Sequence, residues 1–148
     1  MNRTLLISQL EAVTDSVKNN VTNLANAAAL LYHTLEDVSW AGFYLAEGDR
    51  LLLGPFQGKP ACVMIPCGKG VCGAAFASGE TVVVPDVHKF EGHIACDAES
   101  NSEIVVPLFK DNAVFGVMDI DSVSLSRFGE SDRELLEAFA RALEERLI

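Results

Sequence analysis

Four cysteines, Cys62, Cys67, Cys72 and Cys96, are the side chains here with the widest chemical scope. The strongest local feature surrounds the last of them, in the run Val87-His88-Lys89-Phe90-Glu91-Gly92-His93-Ile94-Ala95-Cys96-Asp97. A thiolate is the reactive form of cysteine, and a nearby imidazole can favour it electrostatically or accept its proton. His88 and His93 are both close enough in sequence to do so. A loop cysteine with two surface histidines is the plain alternative, because sequence proximity is not spatial contact.

A second feature is Val117-Met118-Asp119-Ile120-Asp121. Side chains two apart on a strand share a face, so Asp119 and Asp121 point the same way. Charge on an otherwise apolar strand is costly unless it is paired. The two carboxylates can bind a cationic amino group, or one can keep its proton and act as an acid. The alternative is a strand that ends at a wet edge. Glu103 opens the preceding strand; a three-residue hairpin loop would place it on the face of both aspartates, and a two-residue loop would not. Trp40 and Tyr44 share a face by the same alternation. They either line a pocket for a methyl or thioether group or serve as aromatic core.

The Cys62, Cys67 and Cys72 spacing also admits a structural zinc site completed by Cys96 or a histidine, although short-spaced cysteine pairs are the stronger zinc signal. Gly68-Lys69-Gly70 lacks the spacing and the Lys-Ser/Thr pair of a phosphate-binding loop. Cys72, near the start of a short helix, either has a lowered pKa or is a small buried residue.

Helices are expected at both ends. Leu6, Leu10, Val13 and Val17, then Val21, Leu24, Ala28, Leu31 and Leu35, recur at helical spacing, with a break at Asn19-Asn20. Ser131-Asp132-Arg133-Glu134 has the form of a capping box before Leu136, Phe139, Leu143 and Leu147. Between them lie short strands at 38–46, 51–56, 62–65, 81–84, 104–109 and 114–121, with hairpin signals at Glu47-Gly48-Asp49-Arg50 and Asp111-Asn112 and a short helix at 70–77. The sequence thus predicts an α+β fold, one largely antiparallel sheet packed by helices, in a single domain over residues 1–148. Residues 86–102 lack periodicity, and so long a loop in a compact domain usually serves function.

The formal net charge of −10 argues against nucleic-acid and anionic-membrane partners, which need a basic surface. No apolar run is long enough to span a bilayer, and Met1-Asn2-Arg3-Thr4 does not open a signal peptide, so the expected location is cytoplasmic. There the thiols stay reduced, which points away from structural disulfides.

Several blocks together resemble one family: Trp40-Ala41-Gly42-Phe43-Tyr44, Leu53-Gly54-Pro55-Phe56-Gln57-Gly58-Lys59, Gly70-Val71-Cys72-Gly73, Gly92-His93-Ile94-Ala95-Cys96-Asp97, Ser102-Glu103-Ile104-Val105 and Asp119-Ile120-Asp121. In order and spacing they look like the signature blocks of the GAF-domain free methionine-(R)-sulfoxide reductases. The resemblance spans nearly the whole chain. It implies a GAF fold with a six-stranded antiparallel sheet, and reduction of free methionine (R)-sulfoxide. It further implies that Cys96 is the nucleophile, Cys62 the resolving cysteine and Cys72 a third cysteine used in recycling. Glu103, Asp119 and Asp121 match the carboxylates that hold and help protonate the substrate, and Trp40 and Tyr44 match pocket aromatics. No bound metal or organic cofactor is implied. Thioredoxin, linked to NADPH, is the implied external reductant and a homodimer the implied assembly. Cys67 departs from the family pattern and offers Cys62 a competing disulfide partner. The rival readings are a GAF module that binds a ligand without turnover, and a redox sensor whose disulfide reports oxidant.

Overall fold

The computed structural model describes residues 2–93 and 98–148, so Cys96 lies outside the described residues. Helices α1 (Arg3–Thr14) and α2 (Asn20–Thr34) each begin on an asparagine. The Asn2 and Asn19 side chains accept hydrogen bonds from Leu5 N (3.1 Å) and Thr22 N (3.0 Å), satisfying amides that have no partner within the helix. Asn19 is therefore a cap, while Asn20 is already helical.

The expected apolar stripes need correcting. The buried line of α1 is Leu6, Leu10 and Thr14, while Val13 and Val17 are exposed. Thr14 can occupy that line because its hydroxyl donates to Leu10 O at 2.7 Å. Val21 is also exposed; Leu24, Ala27, Ala28 and Leu31 carry the buried face of α2.

Six strands follow: β1 (Trp40–Glu47), β2 (Arg50–Gln57), β3 (Met64–Pro66), β4 (Val82–Val84), β5 (Ser102–Lys110) and β6 (Ala113–Ser122). All pairs are antiparallel, in the order β3-β2-β1-β6-β5-β4. The expected α+β architecture is observed. Strand alternation gives the sheet two apolar faces. Ala41, Phe43, Ile104, Val106, Leu108, Met118 and Ile120 pack against α1, α2 and α4 (Glu130–Glu144). Tyr44, Val105 and Val117 on the opposite face pack with Val71 and Ala75 of α3 (Gly70–Ser78) and with Val87 from a 3-10 turn, Val87–Lys89. The functional side chains project from this second face.

Helix α4 starts earlier than the expected capping box. Gly129 is its N-cap, and the Asp132 carboxylate accepts from Gly129 N at 2.9 Å. Leu136, Phe139, Leu143 and Leu147 are buried as expected. None of the described helices is long and apolar enough to cross a membrane.

The β5–β6 hairpin resolves the position of Glu103. Its loop is the two-residue Asp111-Asn112, with both residues at positive φ (54° and 66°) between paired Lys110 and Ala113. That loop alone would set Glu103 opposite Ile120, on the helix-packed face. Between Leu108 and Phe109, however, the register shifts, because Phe109 pairs with Val114 and Leu108 with Gly116. Phe115 is thus the extra residue of a β-bulge, and the one-residue slip returns Glu103 to a position opposite Asp121.

Candidate active site

Three adjacent strands bring the carboxylates together. Trp40 of β1 pairs with Asp121 of β6, which pairs in turn with Glu103 of β5. One pair further along, Gly42, Asp119 and Val105 form a second row across the same strands. Trp40, Glu103, Asp119 and Asp121 line a pocket with Tyr44, Lys59, Lys69, Gly70, Cys72, His93 and Ser100.

Burial sets the protonation of this cluster. Asp119 is only 5% exposed and its pKa is raised well above the ordinary carboxylate value. Desolvation is the main cause, followed by the charges of Asp121 and Glu103 and hydrogen bonds to both. Its Oδ1 has no hydrogen-bond partner among the described residues. Asp119 thus holds a proton at a pH where a solvated aspartate would not.

Cys72 sits beneath the carboxylates, with its thiol 3.9 Å from Glu103 Oε2. Its pKa is raised, first by burial and then by Asp119, Glu103 and Asp121. The lowered pKa considered from its place at the start of α3 is therefore overturned: three nearby acids and desolvation outweigh one helix terminus. This buried thiol stays protonated.

The pocket wall is aromatic. Trp40 stacks on Phe56 with ring centroids 5.2 Å apart and on Tyr44 at 6.0 Å. Its indole N–H donates to Lys59 O (3.0 Å), and the Tyr44 hydroxyl donates to Cys62 O (2.9 Å). The two aromatics therefore line the pocket and anchor the segment that carries Cys62. Cys62 is disulfide-bonded. Cys67, exposed, and Cys72 are free thiols, so Cys67 is not the partner of Cys62, and Cys62 in its disulfide offers no thiolate to a zinc site shared with them.

The two histidines part company. His93 lines the pocket, whereas His88 Nε2 lies 3.0 Å from Asn101 Oδ1 and its backbone is held by Asp86. Sequence reasoning had no signal for Ser100. Lys69 it noted only within Gly68-Lys69-Gly70, where it is the N-cap of α3 and faces the pocket.

Gly42 is sterically required. A Cβ there would lie 2.3 Å from Phe56 Cβ and 2.8 Å from Trp40 Cη2. Gly42→Ala is expected to destabilise the protein by about 2 kcal/mol through this overpacking. It should also displace the indole, seen as a shifted tryptophan emission spectrum; an unchanged urea midpoint and spectrum would contradict this packing.

Residues 6–147 match the GAF domain family. The free methionine-R-sulfoxide reductase of Escherichia coli is 56% identical over 124 residues, 84% of this chain and 75% of that protein. The free methionine-R-sulfoxide reductase of Saccharomyces cerevisiae is 46% identical, covering 97% of this chain and 86% of its own. In three dimensions the chain is similar to the free methionine-R-sulfoxide reductase of Neisseria meningitidis in complex with its substrate. The TM-score is 0.93 at 47% identity, over 97% of this chain and 87% of that one. The pocket, the carboxylate rows and these relationships agree: the chain belongs to the GAF-domain free methionine-R-sulfoxide reductase family.

Proposed function

We propose that this protein reduces free methionine (R)-sulfoxide to methionine, with Cys96 as nucleophile and Cys62 as resolving cysteine. The observation that carries this reading is Asp119, buried beside Glu103 and Asp121 so that its pKa is raised, in a pocket tethered through Tyr44 to disulfide-bonded Cys62. A sulfoxide oxygen leaves poorly until it is protonated, and Asp119 is the group whose surroundings keep a proton available. The relatives named for this reaction, and the substrate-bound structure among them, support the same assignment.

Cys96 attacks the sulfoxide sulfur while Asp119 protonates its oxygen. The S–O bond breaks, methionine departs, and Cys96 becomes a sulfenic acid carrying that oxygen. The Cys62 thiol attacks the sulfenic sulfur, water leaves, and a Cys62–Cys96 disulfide remains. An external dithiol, thioredoxin or a protein like it, exchanges with the disulfide and restores both thiols. The two electrons come from thiols, so the chemistry needs no resident cofactor.

Glu103 and Asp121 face the substrate ammonium, and Lys69 with the N-terminal turn of α3 faces its carboxylate. Both charges of a free amino acid are then met, and a peptide bond at either end would lose one of them. The Trp40 ring receives the methyl–sulfur end. A homodimer and a cytoplasmic location accord with the family and the composition.

The test is a single turnover with fully reduced protein and one equivalent of the R sulfoxide. One equivalent of methionine should appear, together with a Cys62–Cys96 disulfide in the peptide map. Methionine release with a different cysteine pair would overturn the assignment of Cys62, and disulfide formation with peroxide but not with sulfoxide would favour a redox sensor.

A further inference from the structure

Cys72 Sγ, one oxygen of Glu103 and one of Asp119 all lie within 4.8 Å of one another, and all three residues are buried. The thiol-to-Glu103 distance is 3.9 Å. Zinc bonds of about 2.3 Å to sulfur and about 2.1 Å to oxygen, at a tetrahedral angle, set such ligands about 3.6 Å apart. Small side-chain rotations close that difference. An independent observation points to a ligand here: Asp119 is more than nine-tenths buried, faces the pocket, and leaves Oδ1 without a hydrogen-bond partner among the described residues.

We propose that Cys72, Glu103 and Asp119 form a binding site for a thiophilic divalent cation, Zn²⁺ or Cd²⁺, that occludes the substrate pocket. One sulfur and two carboxylate oxygens suit a borderline or soft ion. Mg²⁺ and Ca²⁺ require six or more oxygen ligands and are poorly matched. A fourth position opens to the pocket and takes water. On binding, the Cys72 thiol and the Asp119 carboxyl each pass a proton to solvent as their bonds to the metal form, and no electrons move. The thiolate and two carboxylates carry three negative charges, of which the ion neutralises two. Because the ion takes the carboxylates assigned to the substrate, it acts as a competitive inhibitor, a consequence that rests on the proposed function; metal binding itself does not.

The test uses the disulfide form of a Cys67→Ser variant, which removes the exposed thiol that would otherwise compete for metal. Titration with Cd²⁺ should give one equivalent of thiolate-to-cadmium charge-transfer absorbance, and Mg²⁺ at millimolar concentration should not reduce it. Adding Cys72→Ser should abolish the band. Glu103→Gln, which retains the thiol, should weaken Cd²⁺ binding about tenfold or more while keeping the band at saturation. Circular dichroism of each variant verifies that it is folded. A band that survives Cys72→Ser, or Cd²⁺ affinity unchanged in Glu103→Gln, would overturn the site. Loss of turnover with both sulfoxide epimers, alongside intact Cd²⁺ binding, would instead count against the reductase reading alone.

Discussion

Cys96→Ser is expected to lower steady-state turnover of methionine (R)-sulfoxide by at least about 10⁴-fold, as removal of a covalent nucleophile does elsewhere. The serine hydroxyl is a far weaker nucleophile, and its oxygen cannot pass through a sulfenic acid and a disulfide. Cys72 should not rescue the variant: its thiol is buried and held protonated by desolvation and three neighbouring acids. Binding should survive, because the carboxylates and aromatics assigned to the substrate are untouched, so calorimetric titration with the R sulfoxide should still give a saturable isotherm. Residual turnover above about a tenth of the parent rate would show that another residue performs the attack.

The second large effect combines activity and stability. Asp119→Asn is expected to reduce kcat by about 10²- to 10⁴-fold, the usual contribution of a positioned acid. It should at the same time stabilise the fold at neutral pH. Asp119 has a raised folded-state pKa, whereas in the unfolded chain it ionises near pH 3.9. From that pH upward the unfolded state loses a proton that the folded state keeps, so this residue's contribution to stability falls until the folded pKa is reached. An amide has no such titration, and it can donate to Glu103 or Asp121. A gain of at least about 1 kcal/mol at pH 7 is expected, or about 3 °C in melting temperature for a domain of this size. Melting curves across pH 4–8 check the sign: the difference between variant and parent should grow with pH. A variant less stable than the parent at pH 7 would mean that Asp119 is ionised and paired in the folded protein.

The cost of the carboxylate cluster explains why its chemistry was partly legible in the sequence. Asp119 and Asp121 alternate on an apolar strand, and nothing local compensates their burial, which marks them without any knowledge of neighbours. Trp40 and Tyr44 follow the same two-residue alternation. Glu103 could not be placed so easily, because its face depends on the bulge at Phe115, and a one-residue slip just beyond Leu108, five pairs from Glu103, decides it. Hairpin turn chemistry gave the Asp111-Asn112 loop correctly and, without the bulge, would have sent Glu103 to the wrong face.

Helical periodicity placed the helices but not every buried side. Val13, Val17 and Val21 match the spacing yet are exposed, while Thr14 takes a buried position by satisfying its own hydroxyl. Short α3 carries apolar residues all round, so its sequence gives no direction for Cys72. Its depth beneath the acids, and therefore the sign of its pKa shift, emerges only from the tertiary packing. The role of Lys69 is hidden for a related reason: a lysine between two glycines reads as a surface turn residue, and only the sheet opposite turns it into a pocket residue.

The proposed reaction is reduction of one epimer of a free amino acid sulfoxide in this pocket with thiol electrons. It is tested most directly by following NADPH oxidation through thioredoxin and thioredoxin reductase with the separate R and S epimers of free methionine sulfoxide. Stoichiometric NADPH loss and methionine formation are expected with the R epimer and neither with the S epimer. Folded, reduced protein that turns over neither epimer would contradict it.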